Sequence, residues 1–329
     1  MKHRKLLLDG TKVSEIGLGC MSLSGFYGVT TEKEAHETLA FCVDQGLNFL
    51  DTANIYGNGT SEAIIGNYLK QTAVEFVIAT KGGISRNSKD GRRFDNRPEY
   101  LRTELEASLK RLNLETVDLF YIHRRDLEVE IEDVMESLLA FKTEGKIRGI
   151  GFSEISPTSL RRAAAIGPVD AVQSEYSLWT RSPELGLIQA CNELGASFVP
   201  FSPVGRGILT DKVPNIESFT DQDLRKTNPR FQQPNFANNV TRVAAFKELA
   251  ADLNLSTATL ALAWVLDQAE HLIPIPGTRS ATHAAQFIKA SGFKMTSEIR
   301  NNIDGVLPVG WAYGDRYSEN QWIGVERYA

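Results

Sequence analysis

The chain is 329 residues long, 42% hydrophobic and 23% charged, a balance that suits a globule with a large buried core. Lys and Arg total 36 against 41 Asp and Glu, and the net charge of −5 argues against nucleic acid or an anionic membrane surface as the main partner. Three cysteines, Cys20, Cys42 and Cys191, lie far apart with no CxxC, so neither a disulfide framework nor a metal site is expected.

The N-terminal MKHRKLLLDG has basic residues but only three leucines before Asp9, too few for a signal-peptide core. Arg4–Leu8 and Thr11–Glu15 flank Asp9-Gly10, which predicts a hairpin over residues 4–15 with a two-residue type I′ turn. Short apolar, β-rich runs then alternate with helical patterns. The runs are Ile16–Cys20, Leu47–Asp51, Phe76–Lys81, Val117–His123, Ile147–Ser153, Val169–Gln173, Ser197–Ser202 and Leu272–Pro276. Their nearly continuous apolar character fits strands covered on both faces.

The helices between them have readable ends. Thr31-Glu32-Lys33-Glu34 fits a capping box, with Gly46 as the stop. Pro98 opens a helix carrying Leu101, Leu105, Leu109 and Leu112, and Ile131, Val134, Leu138 and Phe141 repeat that spacing up to Gly145. Ser182-Pro183 opens another that runs to Gly195. The longest apolar stretch, Ala258–Leu266, is far short of the ~20 residues of a membrane span. The whole reads as a soluble, cytoplasmic protein with no membrane partner, and nothing in it states the oligomeric state.

Eight strand–helix alternations predict an α/β protein, a (β/α)8 TIM barrel with an N-terminal hairpin, long loops on the C-terminal rim and a tail over residues 306–329. No linker divides the chain, so residues 1–329 read as one domain. A doubly wound dinucleotide fold would need GxGxxG opening a helix. Gly17-Leu18-Gly19 has Ser22 at the third position and no helix start behind it.

Barrel chemistry gathers at the C-terminal strand ends, here Asp51, Lys81, His123, Ser153, Gln173, Ser202 and Gly277. Neighbouring strands lie ~4.8 Å apart, which lets Asp51, Lys81 and His123 converge, with Tyr56 on the loop after Asp51. A phenol ionises near ~10. An ammonium within ~4–6 Å favours the phenolate and is expected to lower that value. Held by Asp51, such a lysine readies Tyr56 to give a proton to a carbonyl oxygen, which a neutral His123 hydrogen-bonds. The same residues also suit a structural ion pair and a core histidine, and a strand-end Lys81 suits a Schiff-base aldolase.

At these residues the sequence resembles the aldo-keto reductases over nearly its whole length. Gly46-Leu47-Asn48-Phe49-Leu50-Asp51-Thr52-Ala53 with Tyr56-Gly57 is similar to the family's Asp and Tyr segment, continued by Ser61-Glu62 and Gly66. Ala79-Thr80-Lys81 and Asp118-Leu119-Phe120-Tyr121-Ile122-His123 resemble its lysine and histidine strands. Gly145-Lys146-Ile147-Arg148 through Gly151-Phe152-Ser153, then Gln173, Phe201-Ser202-Pro203 and Pro276-Gly277-Thr278-Arg279-Ser280, follow in the family's order.

The resemblance implies an NADPH-dependent carbonyl reductase, reversible with alcohols, with catalytic Asp51, Tyr56, Lys81 and His123. A cofactor-binding accessory subunit is the alternative from another class. For NADP(H) the resemblance implies Gly19, Cys20, Met21 and Asp51 near the nicotinamide end, with Ser153 and Gln173 on its carboxamide and Phe201 against its ring. Ser202, Pro203, Gly205 and Gly207 are implied over the pyrophosphate, where backbone N–H groups reach phosphate oxygens. Gly277 and Thr278 precede Arg279 on the 2′-phosphate, with His283 at a place often basic in relatives, where it would strengthen phosphate binding only if protonated, and Gln286 on the adenine.

Glu154 stands where the family usually has Asn, and a carboxylate lacks the amide donor, so it is not carried over as a ligand. Gln286-Phe287 replaces the common Glu-Asn, with Phe287 expected to pack inward. Candidate substrate walls are Phe26, Tyr27, Arg124 and Trp179, with Trp311, Tyr313 and Trp322 of the tail either closing over the substrate or packing elsewhere. Arg86, Arg92, Arg93 and Arg97 form a charged loop, either attracting an anion or merely solvated.

Overall fold

The computed structural model describes residues 1–26, 28–85, 93–221 and 223–328. The chain opens with an antiparallel pair, β1 (His3–Lys5) and β2 (Lys12–Ser14), in which Arg4 faces Val13. The expected type I′ turn is not formed. The Gly10 N–H donates to Leu7 O at 3.1 Å, so the turn is built on Leu8-Asp9 and, of its residues, only Gly10 takes a positive φ, 94°. Two local causes are visible. The Asp9 carboxylate accepts from the Thr11 N–H at 2.8 Å and hydroxyl at 2.6 Å, an Asx-type lock. The adjacent Leu6 and Leu7 are both fully buried, which an alternating strand with one wet face does not allow.

Seven parallel strands then pair in chain order: β3 (Leu18–Gly19), β4 (Phe49–Asp51), β5 (Val77–Gly82), β6 (Val117–Ile122), β7 (Ile147–Ser153), β8 (Ala171–Glu175) and β9 (Ser197–Phe201). The eighth expected strand, residues 272–276, closes the barrel without regular pairing. Ile273 and Ile275 N–H groups donate to Phe198 O and Pro200 O at 2.9 and 3.0 Å, while Gly17 and Gly19 N–H groups donate to Pro274 O and Pro276 O at 3.0 Å each. Pro274 and Pro276 have no N–H to return, so the ladder on the β3 side runs one way. Here Gly17-Leu18-Gly19 finds its purpose. A Cβ on Gly19 would lie 2.8 Å from the Ile275 carbonyl oxygen, and one on Gly17 would lie 2.5 Å from the Phe49 ring. These glycines permit closure.

Ten helices of eight or more residues stand among the described residues, beginning with α1 (Glu32–Asp44). Its capping box is formed: Glu34 N–H reaches Thr31 Oγ1 at 3.3 Å, and the Glu34 carboxylate accepts the Thr31 N–H at 2.8 Å. The pattern continues with α2 (Thr60–Gln71), α3 (Pro98–Leu112), α4 (Ile131–Thr143) and α5 (Pro157–Ile166). The helix expected from Ser182 to Gly195 is split into one tight turn, Ser182–Glu184, and α6 (Leu187–Leu194). Gly186 at φ 113° breaks it, and Arg181 and Tyr176 hold the Glu184 carboxylate at 2.6 and 2.8 Å. The series ends with α7 (Asn235–Asp252), α8 (Thr257–Gln268), α9 (Ala281–Lys289) and α10 (Ser297–Val306). Among the described residues, no single helix is long and apolar enough to cross a membrane.

Strand alternation makes two cores. Phe49, Ala79, Leu119, Tyr121, Ala171, Val199 and Ile273 pack inside the barrel on Leu6, Leu7 and Val13 of the hairpin. Leu50, Ile78, Phe120, Ile122, Ile150 and Phe152 face the helices. Period-two alternation then carries the inward set upward from Phe49 to Asp51, from Ala79 to Lys81 and from Tyr121 to His123.

Candidate active site

Register brings these side chains together. Asp51 pairs with Ala79, and Lys81 pairs with Tyr121, so Lys81 stands one inward-facing layer above Asp51. Lys81 is fully buried, and its three N–H bonds point at Asp51 Oδ1, at Thr52 O (2.8 Å) and at Tyr56 Oη (3.5 Å). The other Asp51 oxygen accepts from Gln173 Nε2 at 2.8 Å. The loop that delivers Tyr56 is pinned at its root by Thr52 Oγ1 on Ser61 Oγ (2.9 Å) and Ser61 Oγ on Cys20 O (3.0 Å). The Tyr56 ring lies edge-on between Phe26 and His123, at centroid distances of 6.3 and 5.9 Å.

Tyr56, His123 and Asp51 open into a cleft of about 810 Å³ on the C-terminal ends of the strands. Of the residues expected around a nucleotide, Gly19, Met21, Ser153, Gln173, Phe201, Ser202, Pro203, Gly207, Gly277, Thr278, Arg279, His283 and Gln286 line it, and Phe287 edges it while mostly buried. Cys20 and Gly205 stand behind the lining, as does Lys81, which reaches the cleft through Tyr56. The N–H groups of Gly205 and Gly207 are used within the loop, on Ser202 O (2.9 Å) and Val204 O (3.1 Å). What these glycines contribute is shape.

The electrostatics correct one expectation. Burial pushes the Tyr56 phenol above its ordinary value; the neighbouring Lys81 pulls it down by less, and Asp51 adds to the rise. For Lys81, burial alone favours the neutral amine, but Asp51 and then Tyr56 more than offset it and hold the ammonium above its usual value. The cation expected to make the phenol readier to ionise is present, and desolvation outweighs it. Tyr56 is therefore the protonated phenol at neutral pH, the form that donates. A reaction that needs this proton is lost only as pH rises through the Tyr56 value. Because that value is raised, a carbonyl reduction that drew on this proton would hold its kcat/KM up to about pH 9, and the reverse alcohol oxidation, drawing on the phenolate, would climb with pH. A pH–rate profile whose reductive limb falls below about pH 8 would contradict this.

The substrate-side expectations divide. Phe26 and Arg124 line the cleft, and Arg124 Nη1 is fixed on His123 O (2.7 Å) and Ser153 Oγ (3.0 Å). Trp179 does not line it: it is buried against Phe231 and stacked on Trp311, whose Nε1 donates to Leu178 O at 2.6 Å. Tyr313 is exposed, and Trp322 carries the guanidiniums of Arg316 and Arg327 on its ring. Arg97 is paired with Asp95, while Arg93 lines the cleft with its Nη1 on Asn320 O at 2.7 Å. Tyr27, Arg86 and Arg92 lie outside the described residues. Sequence reading missed Ile84, Phe94, Tyr317, Gln321 and Ile323, which also line the cleft. Only their clustering in aromatic-bearing loops after β5 and in the tail signalled them.

Glu154 is buried at a left-handed φ of 56°, and its carboxylate takes both terminal nitrogens of Arg316, with Nη1 at 3.1 Å. Its side chain is committed to the C-terminal tail.

The comparisons agree with this architecture. The Aldo/keto reductase family model matches residues 15–308. The chain is 39% identical over 315 residues to a probable aldo-keto reductase 1 of Glycine max, covering 95% of this chain and 91% of that one. It is 38% identical over 311 residues to the NADP(+) aldo-keto reductase yakc of Schizosaccharomyces pombe, covering 92% of each. Among solved structures, a glycerol dehydrogenase from Gluconobacter oxydans superposes with a TM-score of 0.84 at 29% identity, covering 93% of this chain and 94% of that one. With the family's motifs meeting on one barrel rim and the match spanning nearly the whole sequence, the chain belongs to the aldo/keto reductase family.

Proposed function

We propose that the protein reduces an aldehyde or ketone to the alcohol with NADPH, reversibly, using Tyr56 as the proton donor. Family membership itself implies NAD(P)H-dependent carbonyl reduction. The observation that carries the finer reading is Tyr56 Oη, 3.5 Å from a lysine locked by Asp51, on the floor of the cleft beside His123. The similarity to an NADP(+) enzyme supports the choice of nucleotide.

The donor set fits the nucleotide. A nicotinamide carboxamide offers one acceptor and one amino group. Ser153 Oγ accepts from Arg124 and so keeps its own proton to give, while Gln173 gives its Nε2 to Asp51 and keeps Oε1 to accept. Phe201 supplies an apolar face, Ser202, Pro203 and Gly207 a wall for the phosphates, and Arg279 a guanidinium at the far end, where His283 also lines the cleft. These residues would hold NADPH, and its chemistry there would be hydride donation. Tyr56 Oη gives the proton to the carbonyl oxygen, His123 orients that oxygen, and Lys81 with Asp51 keeps the phenol aimed and balances charge as it ionises.

An imine mechanism at Lys81 is disfavoured. Forming an imine needs a neutral amine with a free lone pair, and this one is held as an ammonium with all three donors engaged. We place the protein in the cytoplasm, a reducing compartment that suits three buried free thiols.

A panel of aldehydes, ketones and sugars, followed by loss of the reduced-nicotinamide absorbance, tests the reading. Turnover of carbonyls is expected; no oxidation of NADPH by any of them, together with borohydride trapping of substrate on Lys81, would refute it. Arg279→Ala is expected to weaken NADPH by about 10-fold or more and NADH by less than about twofold, the loss of a charge-assisted phosphate contact. Equal weakening of both nucleotides would remove Arg279 from the 2′-phosphate.

A further inference from the structure

Four buried charges alternate across the rim beside the cleft. Glu154, at the end of β7, holds Arg316 of the tail through both terminal nitrogens and also accepts the Glu175 N–H at 2.9 Å. Glu175, at the end of β8, accepts Arg206 Nη2 at 2.6 Å and lies 3.9 Å from Arg316 Nη1. All four side chains are less than 10% exposed. Arg206 belongs to the loop after β9 that lines the cleft, and its backbone sits at φ 54°, a conformation that costs a non-glycine residue about 1 kcal/mol. The guanidinium carbons of Arg206 and Arg316 both lie over the ring of Tyr317, also in the lining, 4.9 and 4.7 Å from its centroid.

A buried ion pair adds little net stability over an apolar pair, but it fixes which groups meet. In this chain of charges, Arg316 is shared between both carboxylates, so its place sets where Glu175 holds Arg206. Arg206 in turn fixes a loop whose shape, not its glycine N–H groups, meets the ligand. We propose that Arg316 is a positioning residue for nucleotide binding: the C-terminal tail holds the loop from Ser202 to Gly207 in its binding shape through Glu154 and Glu175. This rests on the reading of the cleft as a nucleotide site.

The test is equilibrium binding of NADPH and of adenosine 2′-phosphate, which lacks the pyrophosphate and the nicotinamide half. Arg316→Lys keeps the charge and loses the two-pronged contact. The double variant Glu154→Leu with Arg316→Leu removes both charges and strands neither. NADPH is expected to bind about 3-fold weaker to the first and about 10-fold weaker to the second, released faster in proportion, with adenosine 2′-phosphate within about twofold of wild type. NADPH affinity unchanged in Arg316→Lys would overturn the proposal, as would parallel loss of both ligands, which marks general loosening. A wild-type protein that fails to bind NADPH refutes the reading of the cleft instead, a separate result.

Discussion

Replacing Lys81 by methionine is expected to cost about 3–5 kcal/mol of stability and to abolish carbonyl reduction together. The ammonium is the partner that Asp51 meets in a site with no water-exposed surface on either side chain to speak of, 0% for Lys81 and 2% for Asp51. Methionine fills the space and leaves a buried carboxylate with one amide donor, from Gln173. Burial already raises the Asp51 pKa against the pull of Lys81 and Gln173. Without Lys81 the carboxyl takes a proton, and stability falls by what that neutralisation and the lost hydrogen bonds cost. Adding Asp51→Asn to Lys81→Met removes the titrating carboxyl, and with it the cost of neutralising it, and is expected to restore much of the stability and none of the activity. Chemical denaturation of wild type and the two variants separates these effects. A Lys81→Met protein as stable as wild type would mean that the ion pair does not hold this layer of the barrel.

How legible the site was depended on distance along the chain. Asp51, Lys81 and His123 each close an apolar run, and period-two alternation carries them inward from Phe49, Ala79 and Tyr121, so local pattern was enough to gather them. The same held for α1, whose capping box lies within four residues, and for α3 and α4, whose apolar spacing is helical throughout. Residues 272–276 were legible as a barrel segment but not as an irregular one, because the consequence of Pro274 and Pro276 depends on which neighbour their missing N–H groups would have faced. The sign of the Tyr56 shift was not readable at all. Sequence shows the cation nearby but says nothing of how completely the phenol is desolvated.

Long-range partners were hidden for a related reason. Glu154 was recognisable only as a departure from the family's Asn, since Arg316 lies 162 residues away and no local pattern joins them. Trp179 looked like a wall residue because an aromatic follows β8, yet its ring is taken up by Phe231 and Trp311 beneath the rim. Phe94 lies more than 200 residues from Tyr317 and Ile323, and they share the cleft where Arg93 Nη1 donates to Asn320 O of the tail.

The central claim is that the Tyr56 hydroxyl gives the proton. Tyr56→Phe removes one oxygen and keeps the ring that packs between Phe26 and His123. Lys81 loses its longest hydrogen bond, 3.5 Å, and keeps Asp51 and Thr52 O, so the layer beneath is expected to stay folded. NADPH binding is expected to change by less than about twofold, because no nucleotide contact proposed above uses the hydroxyl. The most direct measurement is single-turnover oxidation of bound NADPH by a carbonyl substrate in wild type and Tyr56→Phe. The account predicts a step slowed by about 10²–10⁴-fold, the range of a positioned general acid, at unchanged nucleotide affinity. A Tyr56→Phe protein that transfers hydride at the wild-type rate would contradict it.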